Sequence, residues 1–303
     1  MSGAARIERV TPETAAAFMA YTVAHGPEHD DSFTDADELS DFDPAAEIAV
    51  LARDVANGVE GGPGDVVGAA SLMVRGYREE GTGRFRILHA LEAEDYGRLV
   101  DAVLADAPHE VRHVIAFFFE GAPAIEVLLG LGFAPSRYAI VLRRPDLEVV
   151  APTLPKRIVL VPARPGVDDQ AWADVINQAF AGFPDRFDIT ADQAAERIAD
   201  ERLLPGGALL AWRDGEPVGL VAAAEYEEDG RPVVWVDHLA VVPAAQGQGL
   251  GRALLRAAVN AARDAGFGEV DLSTGQTNER ALSLYTSEGF EPIRRVVCLA
   301  RDL

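Results

Sequence analysis

Val242-Pro-Ala-Ala-Gln246-Gly247-Gln248-Gly249-Leu250-Gly251-Arg252 follows a strand-like run, Val233 to Val242, and opens a helix-like one. From Gly249 to Ala265, residues Leu254, Leu255, Ala258 and Ala262 recur on one helical face, and Gly266 stops the element. A strand, a glycine-rich turn and a helix start make an anion cradle. The glycines let the main chain approach the ligand, successive N–H groups converge on it, and the helix adds about half a positive charge. Arg252 adds a cation at the same place. The dinucleotide fingerprint Gly-x-Gly-x-x-Gly does not fit, because counted from Gly249 and Gly251 its third glycine falls on Leu254.

Upstream of this turn, Trp172 to Phe180 and Ala191 to Leu203 have helical spacing, and Ala208 to Trp212 reads as a strand. Asp214-Gly215 and Asp229-Gly230 are hairpin signals that bracket a strand from Pro217 to Glu225. Downstream come a strand at Val270–Ser273, a helix from Asn278 to Glu288 and a closing strand at Val296–Ala300. Antiparallel hairpins leading into a strand–helix–strand unit make this α/β, in the mixed α+β sense.

The first half repeats this plan. Val66–Val74 and Arg84–Leu91 read as strands and Tyr96–Ala107 as the long helix; then follow strand Val111–Phe118, helix Ala122–Leu131 and strand Tyr138–Leu142. Ala124 precedes Gly132-Phe133 by the same spacing that separates Ala281 from Gly289-Phe290, which points to an internal duplication. Between the halves, Pro145, Pro152, Pro155, Pro162 and Pro165 mark a linker, and Arg157-Ile-Val-Leu-Val161 opens the second domain. The expected domains are therefore 1–147 and 156–303.

Gln246, Gly249 and Gly251 match the Gln/Arg-x-x-Gly-x-Gly/Ala block of the GNAT superfamily, after a Leu239-Ala-Val-x-Pro243 strand ending. Asn278, Ala281, Leu284, Tyr285, Gly289 and Phe290 match its second block. From Arg157 onward the chain thus resembles an acetyl-CoA-dependent N-acyltransferase. The resemblance implies two tandem GNAT-like domains, each with a mixed, mostly antiparallel twisted sheet, a splayed parallel strand pair and flanking helices. It implies that acetyl-CoA lies in the splay, with no metal involved. The main chain of Leu239, Ala240 and Val241 would meet its pantetheine arm. Gln246, Gly247, Gln248, Gly249, Leu250, Gly251 and Arg252 would hold its pyrophosphate, and Asn278 would lie near its thiol.

An alkyl ammonium must lose a proton before it attacks a thioester, and a leaving thiolate benefits from a donor. Tyr285 matches the family's general acid. Strand alternation puts Asp237 on the face of Leu239, where other members of the family place a catalytic histidine; Asp237 is the first candidate base and Glu225 the second. By the same alternation His238 faces away. In the first half, aligning His89–Gly97 with the loop brings Glu92, Glu94 and Asp95 against the phosphates, while Leu128 replaces the tyrosine and Gly121 the asparagine. That half reads as degenerate, with one acetyl-CoA per chain; it would wall the acceptor cleft or mediate oligomerisation, for instance as a homodimer.

The expected acceptor is a primary amine of a small molecule. Three alternatives stand beside it: a protein or peptide acceptor, a non-catalytic acyl-CoA sensor, and a relative of mycothiol synthase, which acetylates the cysteinyl amine of a sugar thiol precursor. The tandem length and the stretch from Ala171-Trp172 to Pro184 resemble that last family. Trp235, however, stands where it has a glutamate, and Ala224 lies near its lysine. Trp235 and Phe187 suggest an acceptor with apolar or planar surface.

A net charge of −22 over 303 residues lacks the cationic face that nucleic acid needs. The run Glu28–Glu47 holds nine carboxylates and no Lys or Arg, as a solvated loop does. No apolar run reaches the ~20 residues of a membrane span, and charges near Met1–Val10 disfavour a signal peptide. The single cysteine, Cys298, excludes an internal disulfide. These features lead to the expectation of a cytoplasmic enzyme.

Overall fold

The computed structural model describes residues 5–25, 47–54, 64–74, 81–148, 151–183, 188–228 and 231–303. The acidic run up to residue 46, Pro184, Phe187 and the Asp229-Gly230 turn lie outside the described residues. No helix among the described residues is long and apolar enough to cross a membrane.

The chain forms two compact units, and neither is one contiguous stretch. Unit 1 comprises Met1–Ile140, Gly275–Thr277 and Arg294–Leu303; unit 2 comprises Val141–Thr274 and Asn278–Ile293. The expected division at residues 147 and 156 runs along the chain. In the structure the last ten residues instead join the first unit.

Unit 1 holds β1 (Arg6–Arg9), α1 (Ala15–Ala24), β2 (Ile48–Asp54), β3 (Asp65–Met73), β4 (Thr82–Ala90), α2 (Ala93–Ala105), β5 (His113–Phe119) and α3 (Pro123–Gly130). Residues 134–140 of β6 (Ala134–Arg144) also belong to it. Strands β1 to β4 pair antiparallel in sequence order, and β4 meets β5 parallel. One core packs Leu99, Val100 and Val103 of α2 against Val50, Ala70 and Leu88. Phe18 and Tyr21 of α1 pack with Leu51, Ala69 and Ile87 in another.

Unit 2 holds β7 (Ile158–Pro162), α4 (Asp169–Ala179), α5 (Ala191–Ile198), β8 (Leu209–Arg213), β9 (Glu216–Glu228), β10 (Arg231–Val241), α6 (Leu250–Asp264), β11 (Val270–Gly275) and α7 (Glu279–Ser287). Strands β7 to β10 form an antiparallel series. Asp214 and Gly215 both have positive φ, 53° and 89°, which is the two-residue turn whose twist suits a hairpin. Helix α6 covers β9 and β10 and buries Leu250, Leu254, Leu255, Ala258 and Ala262. Gly219 of β9 permits this contact, since a Cβ there would come within 3.0 Å of the Ala240 carbonyl and 3.1 Å of Leu254.

Two elements differ from the sequence reading. Helix α5 ends at Ile198 rather than Leu203. Beyond it, Asp200 takes the Arg202 N–H in a turn and Leu203 bridges to Ala224. The last strand, β12 (Glu291–Asp302), pairs antiparallel with β5, with Cys298 opposite Phe117, so the chain's closing strand completes the unit 1 sheet.

Candidate active site

The parallel pair of unit 2 touches at one point. Trp235 of β10 is in register with Asp271 of β11, and among the described residues the two strands share no further partner. From Val236 to Val241, β10 keeps β9 on one edge while the edge toward β11 opens. A splay with β10 as one wall exposes main-chain groups to a ligand.

At its end β10 runs through a short 3-10 turn, Pro243–Ala245, into the glycine loop. Gly247 and Gly249 have φ of 76° and 87°, a conformation that costs L side chains free energy, and Gly249 is the residue that caps α6. The loop residues Gln246–Gly249 are exposed. Among the described residues, no hydrogen bond takes up the N–H groups from Gly247 to Arg252. A run of undonated amides at the positive end of a 15-residue helix is what a diphosphate requires, so these residues fit the cofactor.

Side chains stiffen the loop rather than fill it. Gln246 Nε2 donates to the Val241 carbonyl at 2.9 Å, and Arg280 donates to Gln246 Oε1 at 2.6 Å. Arg213 donates to Gln248 Oε1 at 2.8 Å. The guanidinium of Arg252 is engaged by Glu288 and by Ser287 Oγ. Arg256 reaches both oxygens of Glu288, at 2.7 and 3.0 Å. Helix α7 is thus tied to the loop at its start, through Arg280, and to α6 at its end, through Glu288. Burial pushes the Glu288 carboxyl up, but the hydrogen bonds from Arg256 and Arg252 outweigh it and hold it below its ordinary range. Arg213 and Arg280 thus contact the glycine loop of a strongly acidic chain, and Arg252 follows it directly in sequence.

Asn278 caps α7: its Oδ1 accepts from Ala281 N–H at 3.2 Å and its Nδ2 donates to Thr274 at 3.3 Å. Tyr285 is 7% exposed and packs on Phe290, and burial raises its hydroxyl to about 12.

The register of β10 departs from simple alternation. Val236 pairs with Ala223 and His238 with Ala222, so Asp237 is the extra residue of a β-bulge. The register puts His238 on the face of Trp235, and Leu239 on that of Val236. Asp237 and Leu239 are therefore not related by simple alternation, while His238 does lie on the face opposite Leu239. Asp237 is exposed and accepts from the Tyr226 hydroxyl at 2.9 Å. Arg202 lies over the Tyr226 ring at 4.5 Å and is held by Asp200. His238 accepts from Arg197 of α5 at 3.2 Å. Glu225 is exposed opposite Val234, and Trp235 stands directly opposite Ala224.

Unit 1 has the same frame without the loop. Strands β4 and β5 are in register only from Thr82 to Arg84 and then part. Gly132 and Gly289 have φ of 87° and 83°, and Phe133 and Phe290 each donate to the residue five before, Leu128 and Tyr285, at 3.0 Å. The tyrosine position of unit 1 is thus the buried Leu128. The loop itself is missing: β4 ends at Ala90 and α2 starts at Ala93. Glu92 caps α2, and Glu94 and Asp95 occupy its first turn instead of a loop; the buried Asp95 pairs with Arg98 at 3.0 Å.

Residues Arg213, Tyr226, Arg256, Arg280 and Glu288 did not emerge from the sequence reading. Only the i,i+4 pair Arg252/Arg256 and the Glu288 that follows Tyr285 carried a signal.

Residues 172–290 match the model of the acetyltransferase (GNAT) family. A mycothiol acetyltransferase of Catenulispora acidiphila is 34% identical over 200 residues, 64% of this chain, and the chain spans 63% of that relative's length. A mycothiol acetyltransferase of Sanguibacter keddieii is 32% identical over 274 residues, 85% of this chain and 82% of its own. A solved tandem GNAT protein from the clavulanic acid biosynthesis pathway superposes with a TM-score of 0.66, covering 98% of each chain at 15% identity. The chain belongs to the GNAT acetyltransferase family, with a tandem organisation similar to that of the mycothiol acetyltransferases.

Proposed function

We propose that this chain transfers an acetyl group from acetyl-CoA to the primary amine of a small molecule, and that the acceptor is of the mycothiol-precursor type, a cysteinyl amine on a sugar. The loop after β10 carries the first part: undonated amides, two glycines at positive φ and a helix start stand where a splayed strand ends. The run of relatives named mycothiol acetyltransferase supports the second.

When bound, acetyl-CoA supplies an acetyl thioester. The chain's own residues bind, orient and move protons. The N–H groups from Gly247 to Arg252, with Gln246 braced by Arg280, hold the diphosphate, and the open edge of Leu239, Ala240 and Val241 aligns the pantetheine arm. Asn278, spent on capping α7, sets the start of the helix that carries Tyr285. Asp237 takes the proton of the acceptor ammonium, directly or through water, with Glu225 the alternative; Tyr226 orients the Asp237 carboxylate. Tyr285 serves the leaving sulfur. Full transfer from a hydroxyl at about 12 to a thiolate of parent pKa near 8.5 is uphill by about 5 kcal/mol. Tyr285 therefore acts first as a neutral hydrogen-bond donor that shares its proton as negative charge builds.

A second reading, a different and more planar small amine, is favoured by one observation. Trp235 and Ala224 face each other across β10 and β9, at the positions where the mycothiol synthase pattern carries a glutamate and a lysine. The test is a panel assay in which mass spectrometry detects acetylated product. The panel holds a cysteinyl amino-sugar conjugate, aminoglycosides, polyamines, amino acids and peptides. Preferred turnover of the cysteinyl conjugate is expected. Preference for another small amine selects the second reading, and no product from any amine refutes both.

A further inference from the structure

Unit 1 keeps a splayed strand pair but has lost the loop, and its cleft is lined by cations. Arg84, Arg86, Ala116, Phe117 and Phe118 border a cavity of about 10 Å³ between β4 and β5, the space of roughly one water. Arg84 stands at the end of the parallel register, as Trp235 does in unit 2, and Arg86 is the bulge residue, the counterpart of Asp237. The same frame thus presents guanidinium groups where the second unit presents an indole and a carboxylate.

Both arginines are more than nine-tenths buried, with relative exposures of 8% and 9%. Arg84 Nε, Arg86 Nε and Arg86 Nη1 are buried without a hydrogen-bond partner. Arg86 Nη2 pairs with Glu47 at 2.8 Å and also touches Met73 Sδ. Arg84 lies 5.0 Å over the Phe117 ring. Among the described residues, two cations stand against the one carboxylate of Glu47, whose Oε2 accepts no hydrogen bond either, and the three undonated N–H groups lack an acceptor. Buried guanidinium groups keep their charge, so both deficits call for an anion. The apolar side chains beside them exclude a diphosphate, and no glycine loop is present to bind one.

We propose that the cleft between β4 and β5 of unit 1 is a binding site for a small monoanion, a halide ion or the head of a small carboxylate, held by Arg84 and Arg86. The site is independent of the acetyl-transfer reading, since no residue of the unit 2 loop takes part.

Two measurements on the full chain test it. Crystals soaked in sodium bromide should show an anomalous peak in contact with both guanidinium groups. Thermal unfolding at constant ionic strength should show a saturable rise with sodium chloride or sodium formate, about 2–4 °C at tenfold excess over Kd, against sodium gluconate as the bulky control. Saturation with chloride alone identifies a halide site, and saturation with formate a carboxylate site. The Arg84→Met chain should lose the saturable part; should that variant fail to fold, the bromide peak and the wild-type titration decide. Ordered water in place of bromide, or bromide held only at soaking concentration with no saturable shift, overturns the proposal.

Discussion

Arg143 grips Asp271 with two parallel hydrogen bonds, of 2.8 and 2.7 Å, at the residue where β11 meets Trp235 of β10. Asp271 is 1% exposed, so its charge has been taken out of water and depends on that guanidinium. The pair sits at the hinge of the splay. Among the described residues it marks the one point of register between the two strands, which part beyond it.

Arg143→Leu should destabilise the chain by about 3–5 kcal/mol in urea unfolding, because it leaves an uncompensated buried carboxylate. Replacing both partners, as Arg143→Leu with Asp271→Leu, should cost less than the single change. A double variant as unstable as the sum of the two singles would show that the pair is not coupled.

Glu288→Gln should remove about 3 kcal/mol at pH 7. The folded carboxyl lies below its ordinary value, so its stabilisation is present above the unfolded pKa and is lost as pH falls through the folded one. The gap between wild type and variant should therefore close below about pH 4.5. An equal gap at pH 7 and pH 3 would contradict this ion-pair account.

The frame of both units was largely legible in the sequence. Helix α6 announced itself by Leu254, Leu255, Ala258 and Ala262, and the Asp214-Gly215 hairpin by two residues that tolerate positive φ. The bulge at Asp237 was not legible. Counting by twos assumes an unbroken ladder, and nothing in Val236-Asp237-His238 signals an extra residue. Nor could the sequence say that Val296–Ala300 would pair with β5 of unit 1: alternation fixes which face is buried, while the choice of partner strand depends on tertiary packing. The Arg280–Gln246 and Arg252–Glu288 contacts join residues more than thirty positions apart, beyond the reach of local spacing.

Tyr285→Phe should lower kcat about 10²-fold with little change in the KM for acetyl-CoA if, as proposed, the hydroxyl acts at the leaving sulfur and not in binding. Burial keeps the phenol protonated to about 12, so the alkaline side of the wild-type profile should show no loss from Tyr285 below about pH 11. Unchanged kcat would remove Tyr285 from the proton-donor role.

Asp237→Asn should lower kcat about 10²-fold, and Tyr226→Phe by a smaller factor, because in the proposed mechanism Tyr226 acts through the carboxylate it holds. If Glu225→Gln proves the more damaging change, the base is Glu225.

Trp235→Glu should alter acceptor preference while leaving the KM for acetyl-CoA unchanged, since Trp235 faces Ala224 rather than the loop. Identical turnover across the amine panel would remove Trp235 from the acceptor cleft.

The proposed pyrophosphate site centres on the amides around Gly249, which has a φ of 87° and, its chain neighbours apart, no atom within 4 Å of where a Cβ would stand. Isothermal titration of coenzyme A into Gly249→Asn and Gly249→Glu chains separates backbone strain from charge. Asparagine tolerates that conformation and should keep affinity within a few-fold, whereas glutamate should weaken it by at least about tenfold through repulsion of the diphosphate. Equal affinity in the two variants would contradict the assignment of this turn as the pyrophosphate site.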